Sequence, residues 1–275
     1  MPRVHAGGVE IFYQVSGSGE PLLLIPGFAC DHLIWSKVVP ALSAQYRVVV
    51  FDNRGLGRTI GATESIDTMT IGQLAQDAAA LLRALGLGPA HVAGHSMGGM
   101  IAQELALAHP ERLRSLMLLS SCAHLDARGR AIIESWGDLP KRLDPETSTR
   151  LILPWMYTNA FYAVPGALEE VISKIMANPY PPTAEAIYAQ SRAASAADTT
   201  DRLNRLSCPT LVLVGTEDIL LPLAYSEQLA SSIATAELVV LKNTGHGLLI
   251  ESPDAVAAAL LEFLRKQRSR SEPKA

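Results

Sequence analysis

Gly94-His95-Ser96-Met97-Gly98-Gly99 carries the strongest chemical signal in the sequence. It stands between an apolar strand-like run and an apolar helix-like run. In that setting a G-x-S-x-G pattern places a nucleophilic serine on a sharp strand-to-helix turn. Such a turn pushes the serine toward an unfavourable backbone conformation, and Gly94 and Gly98 leave room for the chain two residues to either side. The helix that starts there offers free N–H groups where an anion would form. A serine hydroxyl is a weak nucleophile, so Ser96 needs a base, and the base needs an acid to orient it.

The sequence holds seven histidines that could be the base. His95 adjoins the serine, but neighbouring side chains on a sharp turn diverge. His91 begins a strand, His109 ends a helix, His5 lies in the N-terminal strand region, His32 follows an early loop and His124 leads out of a strand. His246 stands in Asn243-Thr244-Gly245-His246-Gly247, directly after the last expected strand. Loops at the carboxyl ends of strands are where α/β sites form, and the flanking glycines let the ring enter a pocket. His246 is therefore the expected base. The expected acid is Asp218 in Gly215-Thr216-Glu217-Asp218, which gives the chain order Ser, Asp, His. Glu217 is its nearest rival, and a helix N-cap before Pro222 is the plain structural alternative. Two backbone N–H groups would receive the oxyanion: Met97, directly after the nucleophile, and Phe28 in Pro26-Gly27-Phe28-Ala29. Donors fixed at such an oxygen are worth roughly 3–4 kcal/mol each.

These residues need a frame, and the hydrophobic pattern supplies one. Val9–Val15 alternates as a strand and ends at Gly17-Ser18-Gly19. Short apolar runs of the buried, parallel kind follow at Pro21–Ile25, Arg47–Phe51, His91–Ala93, Leu113–Leu119, Pro209–Val214 and Glu237–Leu241. Helical spacing over Thr68–Leu85, Met97–Ala108 and Asp254–Arg265 alternates with them. Strand–helix alternation predicts a mostly parallel sheet with helices on both faces. It fails over 121–205, which reads as short helices broken by prolines and holds nearly half of the aromatic residues. That stretch is expected to be a helical cap inserted into a core formed by 1–120 and 206–267. Trp155, Tyr157 and Phe161 are its candidates for lining a pocket. The polar stretch 268–275 is expected to be a disordered tail.

Composition excludes several classes. The chain has 275 residues and is 48% hydrophobic and 18% charged, enough apolar content for one large core with an insertion. A net charge of −4 argues against a nucleic-acid surface. No apolar stretch reaches the roughly 18 residues that a membrane span needs, and the N-terminus lacks a signal-peptide pattern. A cytoplasmic protein is expected, without nucleic-acid or membrane partners, and self-association into a homo-oligomer is compatible with the sequence. Cys30, Cys122 and Cys208 show no CxxC spacing, so neither a disulfide framework nor a zinc site is expected. They read as small buried hydrophobes. Gly55-Leu56-Gly57 does not extend to G-x-G-x-x-G, so no dinucleotide site is implied.

The chain resembles the α/β-hydrolase fold superfamily from about Gly8 to Leu264. The resemblance rests on Gly94–Gly99, on Gly215–Asp218, on Gly245-His246, and on Phe51-Asp52-Asn53-Arg54-Gly55-Leu56-Gly57-Arg58-Thr59, similar to the family's D-x-R-G-x-G-x-S turn. It implies an eight-stranded, mostly parallel sheet with an inserted cap, structural roles for Asp52 and Arg54, and a triad that needs no cofactor or metal. Within the superfamily the chain is similar to the small capped group of 3-oxoadipate enol-lactonases, carboxylesterases, cofactor-free haloperoxidases and meta-cleavage-product hydrolases. It departs from many relatives in having Pro26-Gly27 where they have His-Gly, and His95 where carbon–carbon hydrolases often carry Asn. The activity implied first is hydrolysis of a small ester or lactone by Ser96, His246 and Asp218. Perhydrolysis and carbon–carbon bond hydrolysis on the same triad come next, and a receptor with little turnover comes last. An aspartate-nucleophile dehalogenase or epoxide hydrolase is excluded by Ser96.

Overall fold

Runs such as Leu22–Ile25 and Val48–Phe51 contain no polar residue, so a strand built from them needs cover on both faces. The computed structural model describes residues 2–61, 66 and 68–271. Its strands are β1 (Arg3–Ala6), β2 (Val9–Ser16), β3 (Pro21–Ile25), β4 (Arg47–Phe51), β5 (Ala90–His95), β6 (Leu113–Leu119), β7 (Thr210–Gly215) and β8 (Ala236–Leu241). They form one sheet in the order β1-β2-β4-β3-β5-β6-β7-β8. The β1–β2 and β2–β4 pairs are antiparallel, and the remaining neighbours run parallel.

Successive side chains point to opposite faces of a strand, and two separate cores result. Leu23, Ile25, Val49, Phe51, Val92, Leu116, Leu118 and Val212 enter one core; Leu22, Leu24, Val48, Val50, Ala93, Met117, Leu119, Leu211 and Leu213 enter the other. After α1 (Val39–Ser43), the helices α2 (Ile71–Ala84) and α3 (Met97–Ala108) cover the first face. The sequence pattern started α2 near Thr68, but the Thr70 side chain accepts from Gln73 N–H and caps the helix there.

Between β6 and β7 the chain forms α4 (Ala127–Asp138), α5 (Pro145–Ile152), α6 (Asn159–Tyr162), α7 (Ala167–Met176) and α8 (Ala184–Ala196). The chain then returns through α9 (Leu223–Ser232), α10 (Leu248–Glu251) and α11 (Pro253–Ser271). Val256, Leu260, Phe263 and Leu264 of α11 complete the second core. This last helix corrects the expectation of a disordered stretch from Arg268. Arg268 is helical, with Nε 3.1 Å from Glu20 Oε2 and a second nitrogen donating to Gln45 O at 2.8 Å. Residues 272–275 lie outside the described residues.

No described helix is long and apolar enough to cross a membrane. All three cysteines are free thiols. Cys122 is buried, and Cys30 and Cys208 are half-buried. Burial pushes the Cys30 thiol up to about 12, so it stays protonated at neutral pH.

Candidate active site

Strand order reverses around β3: the chain leaves β3 for β4 on one side and later returns as β5 on the other. Open α/β sheets form sites at the carboxyl ends of strands beside such a reversal. Backbone strain marks the same edge. Ala29, Ser96, Ser120 and Asn243 are the non-glycine residues with positive φ among those described, and each follows the end of β3, β5, β6 or β8. Ser96 has φ 54° and ψ −121°. Such a conformation persists only where the surroundings enforce it. Here Ser96 N–H donates to Leu119 O at 2.8 Å, while Ser96 O accepts from Gly99 N–H and from the Ser121 hydroxyl, each at 2.9 Å. A Cβ on Gly94 would overlap the Gly98 carbonyl, and one on Gly98 would overlap the Ile25 carbonyl. Glycine is required at both positions by this close approach of backbones.

Ser96 Oγ lies 3.0 Å from His246 Nε2, and His246 Nδ1 lies 2.9 Å from Asp218 Oδ2. Histidine and aspartate side chains are 1% and 0% exposed. An ionised carboxylate only accepts hydrogen bonds, so the proton of the neutral ring sits on Nδ1 and Nε2 is left to accept from the serine. The other carboxylate oxygen of Asp218 accepts from Leu220 N–H at 3.1 Å and Leu221 N–H at 2.8 Å. Asp218 thus fixes its own turn as well as the histidine. Glu217, the rival, is exposed. Such an arrangement can move the serine proton to the imidazole and carry the resulting positive charge beside a buried carboxylate.

The loop after β3 lies against the serine: a Cβ on Gly27 would stand 3.3 Å from Ser96 Cβ and 3.1 Å from His95 O. Phe28 follows Gly27 in that loop, and Met97 opens α3 directly after Ser96. His95 contacts the loop of His246. Its Nε2–H donates to His246 O at 3.0 Å, and burial holds its pKa down to about 3. It therefore stays neutral and ties the nucleophile turn to the histidine loop.

The expected lining residues separate. Tyr157 stacks on Phe161 at 4.4 Å, and a Cβ on Gly247 would overlap its ring, so Tyr157 touches the loop of His246. Trp155 instead packs against the core beneath the Arg128 guanidinium, 5.7 Å away. Sequence reasoning missed three residues at these loops. Trp136 meets the Phe28 ring at 6.3 Å, and Gln190 accepts from Ala29 N–H at 2.8 Å. Glu251 accepts from Gly245 N–H at 2.8 Å and from the Thr158 N–H and hydroxyl. Trp136 carried a weak signal as one of the aromatics of the insertion. Gln190 and Glu251 carried none, because Ala29 and Thr158, which they join to the site, lie 161 and 93 residues away along the chain.

Two other features lie apart from the serine. Among the described residues Asp31, His32 and Asp52 bring three potential metal-ligand atoms within 4.8 Å. Both carboxylates already accept from protein donors: Asp31 from Leu33 and Asn178, Asp52 from His32 and Arg58. Arg54 meanwhile grips Asp77 at 2.9 and 2.7 Å, so this turn supports the fold, as the resemblance implies. A cavity of about 430 Å³ between the start of α2 and α8, lined by Thr70, Arg192, Asp198 and Arg202, contains none of Ser96, Asp218 and His246.

Known proteins share this architecture. A carbamate hydrolase RutD by name, from Azorhizobium caulinodans, is 32% identical over 96% of this chain and 98% of its own length. An esterase structure from Thermogutta terrifontis matches with TM-score 0.85 and 31% identity, covering 97% of this chain and 99% of that one. The enol-lactonase structure from Burkholderia xenovorans matches with TM-score 0.87 and 26% identity, over 96% and 100% of the two chains. The family model described as alpha/beta hydrolase fold matches residues 20–253, and the chain belongs to that family.

Proposed function

We propose that the protein is a serine hydrolase of small carboxylic esters or lactones. The observation that carries this reading is the unbroken hydrogen-bonded line from Ser96 Oγ through His246 to Asp218, at 3.0 and 2.9 Å, on a strained strand end. Ser96 Oγ attacks the substrate carbonyl carbon as His246 Nε2 takes its proton. The carbonyl oxygen becomes an anion held by the Phe28 and Met97 N–H groups. Collapse breaks the bond to the alkoxide, which leaves with the proton from His246. Water then attacks the acyl-enzyme, with His246 again removing a proton, and the acid is released as Ser96 regains its hydrogen. Helices α4–α8 act as a cap, with Tyr157 and Phe161 stacked at 4.4 Å beside the loop of His246, and that aromatic surface suits an apolar or cyclic acyl group.

An esterase and an enol-lactonase among the similar structures support this substrate class, and attack on a carbamate carbonyl would need no different machinery. The test is a panel of p-nitrophenyl esters, γ- and δ-lactones and carbamates, run on wild type and Ser96→Ala with and without hydrogen peroxide. Turnover of esters or lactones by wild type alone, unaffected by peroxide, is expected. Peroxide-dependent acid consumption in its place would make the protein a perhydrolase.

A further inference from the structure

The loop that carries the Phe28 donor is a tight turn with an uncomfortable residue in it. Cys30 N–H donates to Gly27 O at 3.3 Å, which closes a four-residue turn over Gly27, Phe28, Ala29 and Cys30. Ala29 is its third residue and has φ 53°. A positive φ there belongs to the type II form, which strongly favours glycine, whereas an alanine prefers the type I form with negative φ. The two forms differ mainly by a flip of the middle peptide, the one joining Phe28 to Ala29. Its N–H is the group that meets Gln190 Oε1 at 2.8 Å. A flip would present the Phe28 carbonyl to that acceptor instead and lose the bond.

Gln190 sits on α8 (Ala184–Ala196) and is 0% exposed. Ala29 N–H can only donate, so it fixes the carboxamide with Oε1 toward the turn. Nε2 is then buried, without a protein partner among the described residues. A side chain that merely filled space would do better as leucine or methionine, because an unpaired buried donor is unfavourable. The amide is explained by the single acceptor it supplies to Ala29.

We propose that Gln190 is a positioning residue: its carboxamide oxygen holds the middle peptide of the Gly27–Cys30 turn in the orientation that Ala29 alone would not choose. The Phe28–Ala29 peptide, which directly follows the Phe28 N–H, is thereby held from the cap side rather than by the sheet alone. This rests on the reading of Phe28 as an oxyanion donor only for its effect on turnover, not for its effect on the turn.

The test is a double-mutant cycle between Gln190→Met and Ala29→Gly. Methionine keeps the volume and removes the amide; glycine removes the conformational need for it. Gln190→Met is expected to lower kcat about tenfold with KM changed less than about twofold. In the Ala29→Gly background the same substitution is expected to cost less than threefold. Equal losses in both backgrounds would overturn the proposal, and so would no loss in either. Hydrogen–deuterium exchange at the Ala29 amide reads the turn directly, whatever the protein hydrolyses. Protection in wild type that falls at least tenfold in Gln190→Met supports the proposal, and unchanged protection overturns it. Absence of ester turnover by wild type with normal exchange behaviour would fault the functional reading and leave Gln190's role standing.

Discussion

Among the described residues, two buried aspartate–histidine pairs have nearly the same geometry. His246 Nδ1 meets Asp218 at 2.9 Å and His32 Nδ1 meets Asp52 at 2.7 Å, with side-chain exposures of 3% or less throughout. Only the far nitrogens differ. His246 Nε2 faces the hydroxyl of a half-buried serine, whereas His32 Nε2 is buried without a partner among the described residues, its ring tilted on Phe12 at 5.0 Å. Asp52 uses its remaining capacity on His32 N–H and Arg58 N–H and so closes two loops on each other. A carboxylate–imidazole pair is therefore not a catalytic device by itself. On the proposed reading it becomes one where its free nitrogen opens on a serine that the backbone holds at the end of a strand.

Substitutions should split the pairs. Ser96→Ala leaves the first pair facing nothing and should lower turnover by roughly 10⁵–10⁶ in a steady-state ester assay. Asp218→Asn should cost about 10⁴ in kcat through the lost orientation of His246. Asp52→Ala should instead leave kcat per folded molecule within about threefold. It should lower unfolding free energy by about 3 kcal/mol, since two buried donors of His32 and the half-buried Arg58 N–H lose their acceptor. A kcat loss from Asp52→Ala as large as that from Asp218→Asn would erase the distinction.

A smaller effect concerns histidines outside both pairs. Burial holds His91 down to about 4 and His95 down to about 3, against an ordinary value of 6.5. The unfolded chain takes up protons on them below pH 6.5 and the folded chain does not. Their stability contribution is thus full above 6.5 and is lost as pH falls from there toward 4 and 3. The urea midpoint should drop steadily between pH 7 and 4.5, and His91→Gln should flatten that slope by up to about one proton. Smallest of all, Glu217→Gln should leave kcat within about twofold, because Glu217 is exposed beside the acid rather than joined to it.

The parts of the molecule differ in how far sequence reveals them. Strands such as β3, β4 and β6 are readable because both their faces are buried, which leaves uninterrupted apolar runs with clear ends. The nucleophile turn is readable because Gly94 and Gly98 are forced by backbone overlap. What stays hidden depends on contacts between distant segments. Gln190 and Glu251 are ordinary polar residues on helices until the fold brings Ala29 and Thr158 to them. The length of α11 is of the same kind, since Arg268 extends it by reaching Glu20 248 residues away. Trp155 is of the same kind, since an aromatic at helical spacing cannot say how far it packs on a core, and the structure sets it against the core beneath Arg128.

The central claim is that Ser96 alone is activated. Intact mass after treatment with a small fluorophosphonate, on wild type beside Ser96→Ala, tests it most directly. The account predicts a single phosphonyl adduct on wild type and none on the variant. An adduct that persists on Ser96→Ala, or an unmodified wild type, would contradict it.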